Sequence, residues 1–301
     1  NNDIDLIEEN ISYQEFQELL DNYSFYQDDL VGDEVGIPLY FLGKKTKNSK
    51  IKVVQVGEGA DELFYGYDHW NRYLKLNKFF KPFFKSTKKY SSFKNHRLNM
   101  LSNILFNRTS FAGGALGFNL KELDSLIEDG LPNHSDLIFY ADNKWKDYFS
   151  NKNSKISKWM TLIDLKIRLP ELLLMRMDKL VMQSAVEARV PFLDHKLVEY
   201  VLSLPEELLI DLTNTKSLLK KVALKYLPDQ IINRKKQGFR APIGEWIKKD
   251  EEKFYESVQQ FNSLVNLFNE RELNHILNGN DYQKKWYLIN LSNWHLARVA
   301  N

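Results

Sequence analysis

The sequence predicts an α/β protein that is mostly helical, and three observations lead there. A short β-branched run, "IKVVQVGEG" (51–59), follows a basic turn and closes on glycine, the pattern of a buried parallel strand. A helical segment stands directly before it, so that helix and strand make half of an α/β unit. After Tyr67 no further β-rich run is convincing, and most segments have helical spacing.

Taken in order, "ISYQEFQELL" (11–20) places Ile11, Phe16, Leu19 and Leu20 on one side of a helix. "IPLYFLGKKTK" reads as a second helix, opened near Pro38 and ending in a basic tail around Gly43. Ile51, Val53, Val54 and Val56 supply the strand. "LIDLKIRLPELLLMRMDKLVMQSAVEARVPFLDHKLVEYVLSLP" (162–205) reads as two or three helices punctuated at Pro170 and Pro191. "TKSLLKKVALKYLP" (215–228) is an amphipathic helix stopped before Pro228, and Trp286, Leu288, Leu291 and Trp294 have helical spacing near the end. A lone strand forms no sheet, so its partners are either missing from the chain or cryptic in sequence.

Composition narrows the function. With 43% hydrophobic and 13% aromatic residues, the 301-residue chain can bury a sizeable core, which argues against disorder. A net charge of +2 exerts no global pull on nucleic acid or anionic membrane. The chain has no cysteine, which excludes disulfides, zinc–thiolate sites and cysteine nucleophiles and fits a reducing, cytoplasmic setting. No apolar run approaches the roughly 18 residues of a membrane span. The N-terminus has neither a signal pattern nor an initiator Met, so a fragment of a longer protein is expected. "KFFKPFFKSTKKYSSFKNHR" (78–97) interleaves aromatics with lysines, a mixture that can stack on single-stranded nucleic acid or lie on a membrane. The near-neutral total charge favours a helix and loop with a solvated basic face. "RTSFAGGALGF" neither follows a strand nor carries a P-loop lysine and reads as a loop; no histidine pair has metal spacing, and no Ser-His-Asp grouping is suggested.

The chemistry concentrates in "VVQVGEGADELFYGY" (53–67), where Glu58, Asp61 and Glu62 gather behind the strand. Two like charges about 4 Å apart repel by roughly 4 kcal/mol at an effective dielectric of about 20. A helix N-terminus, a basic partner or a metal ion must offset that. Gly57 and Gly59 let backbone N–H groups approach a phosphate, and the carboxylates suit Mg²⁺, which takes one or two of them plus phosphate oxygens. Helix capping alone accounts for Asp61 and Glu62, at about 0.3–1 kcal/mol each, but leaves Glu58 in its glycine turn unexplained. Asp164, Lys166, Glu171, Arg176 and Asp178 surround an apolar helix and read as ordinary ion pairs. Glu187 and Arg189 suggest a buried pair. Lys216 opens a helix, a poor place for a cation, and is either solvated or directed at a phosphate. Arg234, Lys235 and Lys236 precede a glycine in a plausible anion-binding turn.

In this order the motifs resemble the synthetase domain of the glutamine-hydrolysing asparagine synthetase family. "GEGADELFYGY", "DLKIRLPELLLMRMDKLVMQSAVEARVPFLDH", "TKSLLKK" and "RKKQGF" carry the resemblance, four motifs in register over about 180 residues. "YQDDLVGDEVGIPLY" is similar to the family's acidic stretch and helix before the strand. The likeness covers nearly all of residues 20–247 and is weak over the last fifty.

The resemblance implies an adenine-nucleotide alpha-hydrolase-like (ATP-pyrophosphatase) fold. In this family ATP adenylates a carboxylate, aspartate's in the first instance, with release of pyrophosphate. Ammonia from a glutaminase domain then gives the amide and AMP. It further implies Asp61 as a ligand of Mg²⁺–pyrophosphate, Glu58 as the carboxylate that handles ammonia and the acyl intermediate, and Lys216 as the cation steadying adenylation. Gly57 and Gly59 would lend backbone to the nucleotide, Lys236 would contact phosphate, and Glu171 and Glu187 match acidic positions near the substrate. A homodimer is a candidate assembly.

The chain also departs from the pattern. The family's SGGxDS loop, expected ahead of residue 20, and the cysteine glutaminase domain are not in these 301 residues. Val56 stands where the family usually has Ser, and Tyr65 where it has Gly. The expectation is therefore one synthetase domain over 1–301 lacking its first strands and phosphate loop, with 1–75 a remnant of the nucleotide-binding part and 76–301 helical. Such a piece is expected to be inactive by itself. Alternatives are an amidotransferase acting on another substrate, a cyclase like β-lactam synthetase, or a non-catalytic interaction module.

Overall fold

The computed structural model describes residues 5–80, 98, 117–131, 155–234 and 238–299. They fall into two units, one of residues 1–56, 172–189 and 238–301, the other of 57–171 and 190–237. Among the described residues no helix is long and apolar enough to cross a membrane.

The first unit is helical around one parallel pair of strands. Its first helix, Tyr13–Gln27, starts with a reciprocal cap: the Glu15 backbone N–H donates to the Ser12 hydroxyl at 3.2 Å, and the Ser12 N–H to the Glu15 carboxylate at 2.9 Å. Helical periodicity turns Phe16, Leu19 and Tyr23 inward, as the spacing predicts for the first two. Phe16 stacks on Trp246 with ring centroids 4.4 Å apart and lies beside Trp286 of the helix Tyr282–Val299. A buried amide cycle ties these helices together. Gln27 donates to Asn290 at 3.1 Å and accepts from the Val31 N–H at 2.8 Å, while Asn290 donates to the Val31 carbonyl.

The helix expected to end around Gly43 runs on to Asn48, over Gly36–Asn48. Gly43 is not a stop but a contact point: a Cβ there would sit 3.1 Å from the Val181 Cα, on the helix Met175–Met182. Backbone proximity, not termination, is its use.

β1 (Val53–Gln55) pairs in parallel with β2 (Glu187–Arg189), Val54 opposite Ala188. The parallel strand is as expected, but it is not buried, since Val53 is 39% exposed. With only two strands described, the pair lacks the covering neighbours that bury a parallel sheet. β2 itself is not expected from sequence, because Glu-Ala-Arg carries neither alternation nor β-branching; it is a strand only through its partner.

The second unit packs Leu63, Phe64, Tyr65, Trp70 and Tyr73 against Trp159, Met160, Ile163, Val201 and Leu209. These come from the helices Ala60–Leu63, Asp68–Phe80, Ile156–Ile163, His195–Ser203 and Glu206–Leu209 and the turn between the first two. Pro170 does not punctuate its segment as expected. It lies inside a π-helical stretch, Asp164–Leu174, where the wider turn relieves the clash a proline ring makes with the carbonyl four residues back in an α-helix. Pro191 does begin a new element, the single 3₁₀ turn Pro191–Leu193. The amphipathic helix expected up to Pro228 is shorter, Ser217–Ala223, and Pro228 instead precedes the helix Asp229–Ile232. The aromatic-basic stretch from 81 to 97 and the glycine pair of the loop at 108–116 lie outside the described residues.

Candidate active site at the acidic turn

The chain leaves β1 through Gly57 and Glu58 and enters the one-turn helix Ala60–Leu63 at Gly59. The two glycines differ in what they need. Gly59 has φ +91° and no room: a Cβ would lie 2.7 Å from the Leu193 Cγ, so the fold itself demands glycine. Gly57 is exposed, and a Cβ there would meet nothing within 4 Å. Nothing in the described residues requires glycine at 57. Glu58 is half-buried between them.

Asp61 and Lys216 are brought together across a long stretch of chain. The lysine Nζ lies 3.0 Å from the aspartate Oδ1, with the side chains 26% and 22% exposed. Lys216 stands just ahead of the helix Ser217–Ala223 rather than inside its first turn, with φ +55°. A left-handed lysine costs about 1–2 kcal/mol, and such strain clusters at functional sites. Gly66 closes the arrangement, since a Cβ at that position would collide with both the Asp61 carboxylate and the Lys216 Cε. No sequence pattern announces that role for Gly66.

Glu62 points the other way. It is buried, accepts a hydrogen bond from the Tyr67 hydroxyl and lies 3.5 Å from Arg168. Arg168 also pairs with the buried Asp164 at 2.7 Å, one helical turn earlier, and stacks its guanidinium 4.7 Å from the Tyr67 ring centre. Burial, then the Glu62 charge, push the Tyr67 hydroxyl far up, so it remains a donor. Burial raises Asp164 to about 6, with Arg168 pulling the other way. The crowding of carboxylates is thus relieved by two protein cations, Lys216 for Asp61 and Arg168 for Glu62. The sequence reading missed Arg168; its signal was the Asp164/Arg168 spacing of four.

Glu171 is exposed in the π-helical stretch. Glu187, on β2 in the other unit, pairs with Arg189 at 2.8 Å, but with side chains 55% and 61% exposed the pair is not the buried one expected. An open strand pair does not desolvate it. The hydrogen bond from Arg189 lowers the Glu187 carboxyl below its usual value. Lys235 and Lys236 lie outside the described residues. Position 65, where the resemblance expects glycine, has φ +54°. Tyr65 tolerates it because its buried ring packs edge-on against Trp70 and its hydroxyl accepts from Thr161 at 3.2 Å. Among the described residues no group of three or more His, Cys, Asp or Glu is arranged to hold a metal.

Comparison with known proteins bears on this geometry. The chain is 30% identical over 265 residues to asparagine synthetase [glutamine-hydrolyzing] 1 of Bacillus subtilis, covering 85% of this chain and 41% of that protein. It is 29% identical over 311 residues to a putative asparagine synthetase [glutamine-hydrolyzing] of Mycobacterium bovis, covering 97% and 46%. The chain thus spans less than half the length of these curated relatives. No solved structure matches it. The family model described as asparagine synthase matches residues 2–296. With that match running over nearly its whole length, the chain belongs to the asparagine synthase family.

Proposed function

We propose that the chain is the synthetase part of an enzyme that makes an amide at the expense of ATP, most directly asparagine from aspartate, in the cytoplasm. The carrying observation is the Asp61–Lys216 pair at the mouth of a glycine turn whose first glycine has no steric reason of its own. In this reading the substrate carboxylate attacks the α-phosphorus of ATP and diphosphate leaves. Ammonia then attacks the acyl carbon and AMP leaves. A carboxylate is a poor electrophile, and the mixed anhydride gives its oxygen a good leaving group.

Each residue takes a share of this chemistry. Lys216, oriented by Asp61, offers a cation where charge builds on the phosphoryl oxygens. Gly57 and Gly59 present backbone to the nucleotide, and Lys236 adds a phosphate contact. Glu58, at the centre of the turn, receives a proton from the attacking nitrogen. Glu171 and Glu187 belong to this proposal as substrate-side acids. Asp61 is a hard oxygen donor still partly open to solvent, which fits Mg²⁺, an ion that takes one or two carboxylates and fills the rest with phosphate oxygens and water. When bound, the ion would offset diphosphate charge. The reading carries with it an adenine-nucleotide alpha-hydrolase-like fold, with β1 and β2 as part of its sheet, and a glutaminase domain as the ammonia source.

The test is AMP release by the full-length protein given aspartate and ammonia. Lys216→Ala should cut kcat by at least about a hundredfold while leaving KM within a few-fold, because its charge is needed mainly in the transition state. Failure to release AMP with any carboxylate substrate tested, or an unchanged kcat in the variant, would sink the reading.

A further inference from the structure

The helix Ala60–Leu63, which carries Asp61, is a single turn and cannot fix its own direction. Its neighbours must do so. Gly59 enters it against Leu193, where a Cβ would find no room, and Leu63 is buried at its other end. Between those ends Asp61 and Glu62 are adjacent, and adjacent helical positions face different ways. Asp61 reaches Lys216 at 3.0 Å, whereas Glu62, 1% exposed, turns into the protein. Whatever grips Glu62 therefore sets where Asp61 points.

Two groups grip it. The Tyr67 hydroxyl donates to the Glu62 carboxylate, and the Arg168 Nη1 lies 3.5 Å from the same oxygen. A strained turn brings Tyr67 back to Glu62: Tyr65 has φ +54°, and the Gly66 N–H donates to the Asp61 carbonyl at 2.9 Å. Arg168 is held in turn by the buried Asp164 at 2.7 Å and stands over the Tyr67 ring. It comes from the π-helical stretch Asp164–Leu174, a backbone form that recurs at functional sites. Stability alone does not account for this group. A buried ion cluster is often no more stable than apolar residues of the same volume, whereas a polar network rigidifies one arrangement.

We propose that Arg168 and Tyr67 are positioning residues: by holding Glu62 they orient the helix Ala60–Leu63 so that Asp61 meets Lys216. They act through Glu62 and not on the reacting atoms. In the synthetase reading, on which the catalytic side of this role rests, a displacement of about 1 Å costs on the order of a hundredfold in rate. Neutralising Glu62 is a simpler role for Arg168, but it leaves the Asp61–Lys216 pair untouched when the cation is lost. The two roles thus differ in what happens at Lys216.

Acetylation of Lys216 decides between them. The full-length protein is treated with limiting acetic anhydride, and each lysine is read by peptide mass spectrometry. Lys216, paired and 26% exposed, should react severalfold faster in Arg168→Leu and Tyr67→Phe than in wild type, while the exposed Lys221 and Lys225 keep their rates. Arg168→Lys, which keeps the charge, should undo part of that gain. In the Arg168→Leu and Tyr67→Phe proteins kcat for AMP release should fall about ten- to a hundredfold, with KM for the carboxylate within a few-fold of wild type. Unchanged Lys216 labelling in the folded variants overturns the proposal, as does an equal rise at all three lysines, which general loosening would give. Tyr67→Phe removes one hydroxyl only, so it decides the matter should Arg168→Leu fail to fold. Labelling needs no turnover: a wild-type protein that releases no AMP would count against the synthetase reading, and Lys216 would still judge this role.

Discussion

Arg168 answers two buried carboxylates at once, Glu62 at 3.5 Å and Asp164 at 2.7 Å, with the Tyr67 hydroxyl as a third neighbour. Burial is the main reason that Asp164 is raised to about 6, with Arg168 working against it and the Glu62 charge adding a little. A carboxyl raised in the folded state binds its proton more tightly there than in the unfolded chain. Its contribution to stability is therefore largest at low pH and declines as pH rises from about 4 to about 6. Chemical denaturation between pH 4 and pH 8 should show that decline, and Asp164→Asn should flatten it. Arg168→Leu should cost about 3–5 kcal/mol at pH 8, because it strands two charges, and distinctly less near pH 5, where Asp164 can take up a proton. An Arg168→Leu penalty that does not change with pH would contradict the arrangement.

Among the elements, helix packing turns on single small residues. A Cβ at Gly43 would lie 3.1 Å from the Val181 Cα and 3.4 Å from the Ser184 hydroxyl, so the helices Gly36–Asn48 and Met175–Met182 meet at that point. Gly43→Val should cost about 1–3 kcal/mol in a urea melt, as overpacking does, despite valine's being no worse than glycine inside a helix. No loss would mean the helices can slide apart freely. This contact also explains why the helix end was misread: a glycine beside lysines looks like a stop in one dimension, and only a neighbouring helix reveals it as a crossing. Pro170 misled in the same way. Its ring forbids an α-turn but not the wider π-turn, and the choice rests on how the surrounding apolar residues pack.

For the molecule as a whole, the proposed chemistry requires diphosphate charge to be neutralised by more than Lys216. Removing divalent metal from the full-length protein with a chelator should abolish AMP formation, and adding Mg²⁺ back should restore it; AMP release that survives chelation would leave Asp61 as a holder of Lys216 only. How far the sequence reaches differs by feature. The helical character, the parallel nature of β1 and the acidic turn as the centre of interest were legible in short patterns, since 3.6-residue periodicity, β-branching and glycine spacing are local properties. The family, too, is written in linear motifs. What the linear order could not contain is which charges meet. Asp61 finds Lys216 and Glu62 finds Arg168 because the chain returns on itself, and the second strand exists only as the partner of the first. Burial was decided in the same way: Val53 and the Glu187–Arg189 pair stay open to water because few neighbours cover them. Solvation depends on what surrounds a group in space, and that is set only when distant segments pack.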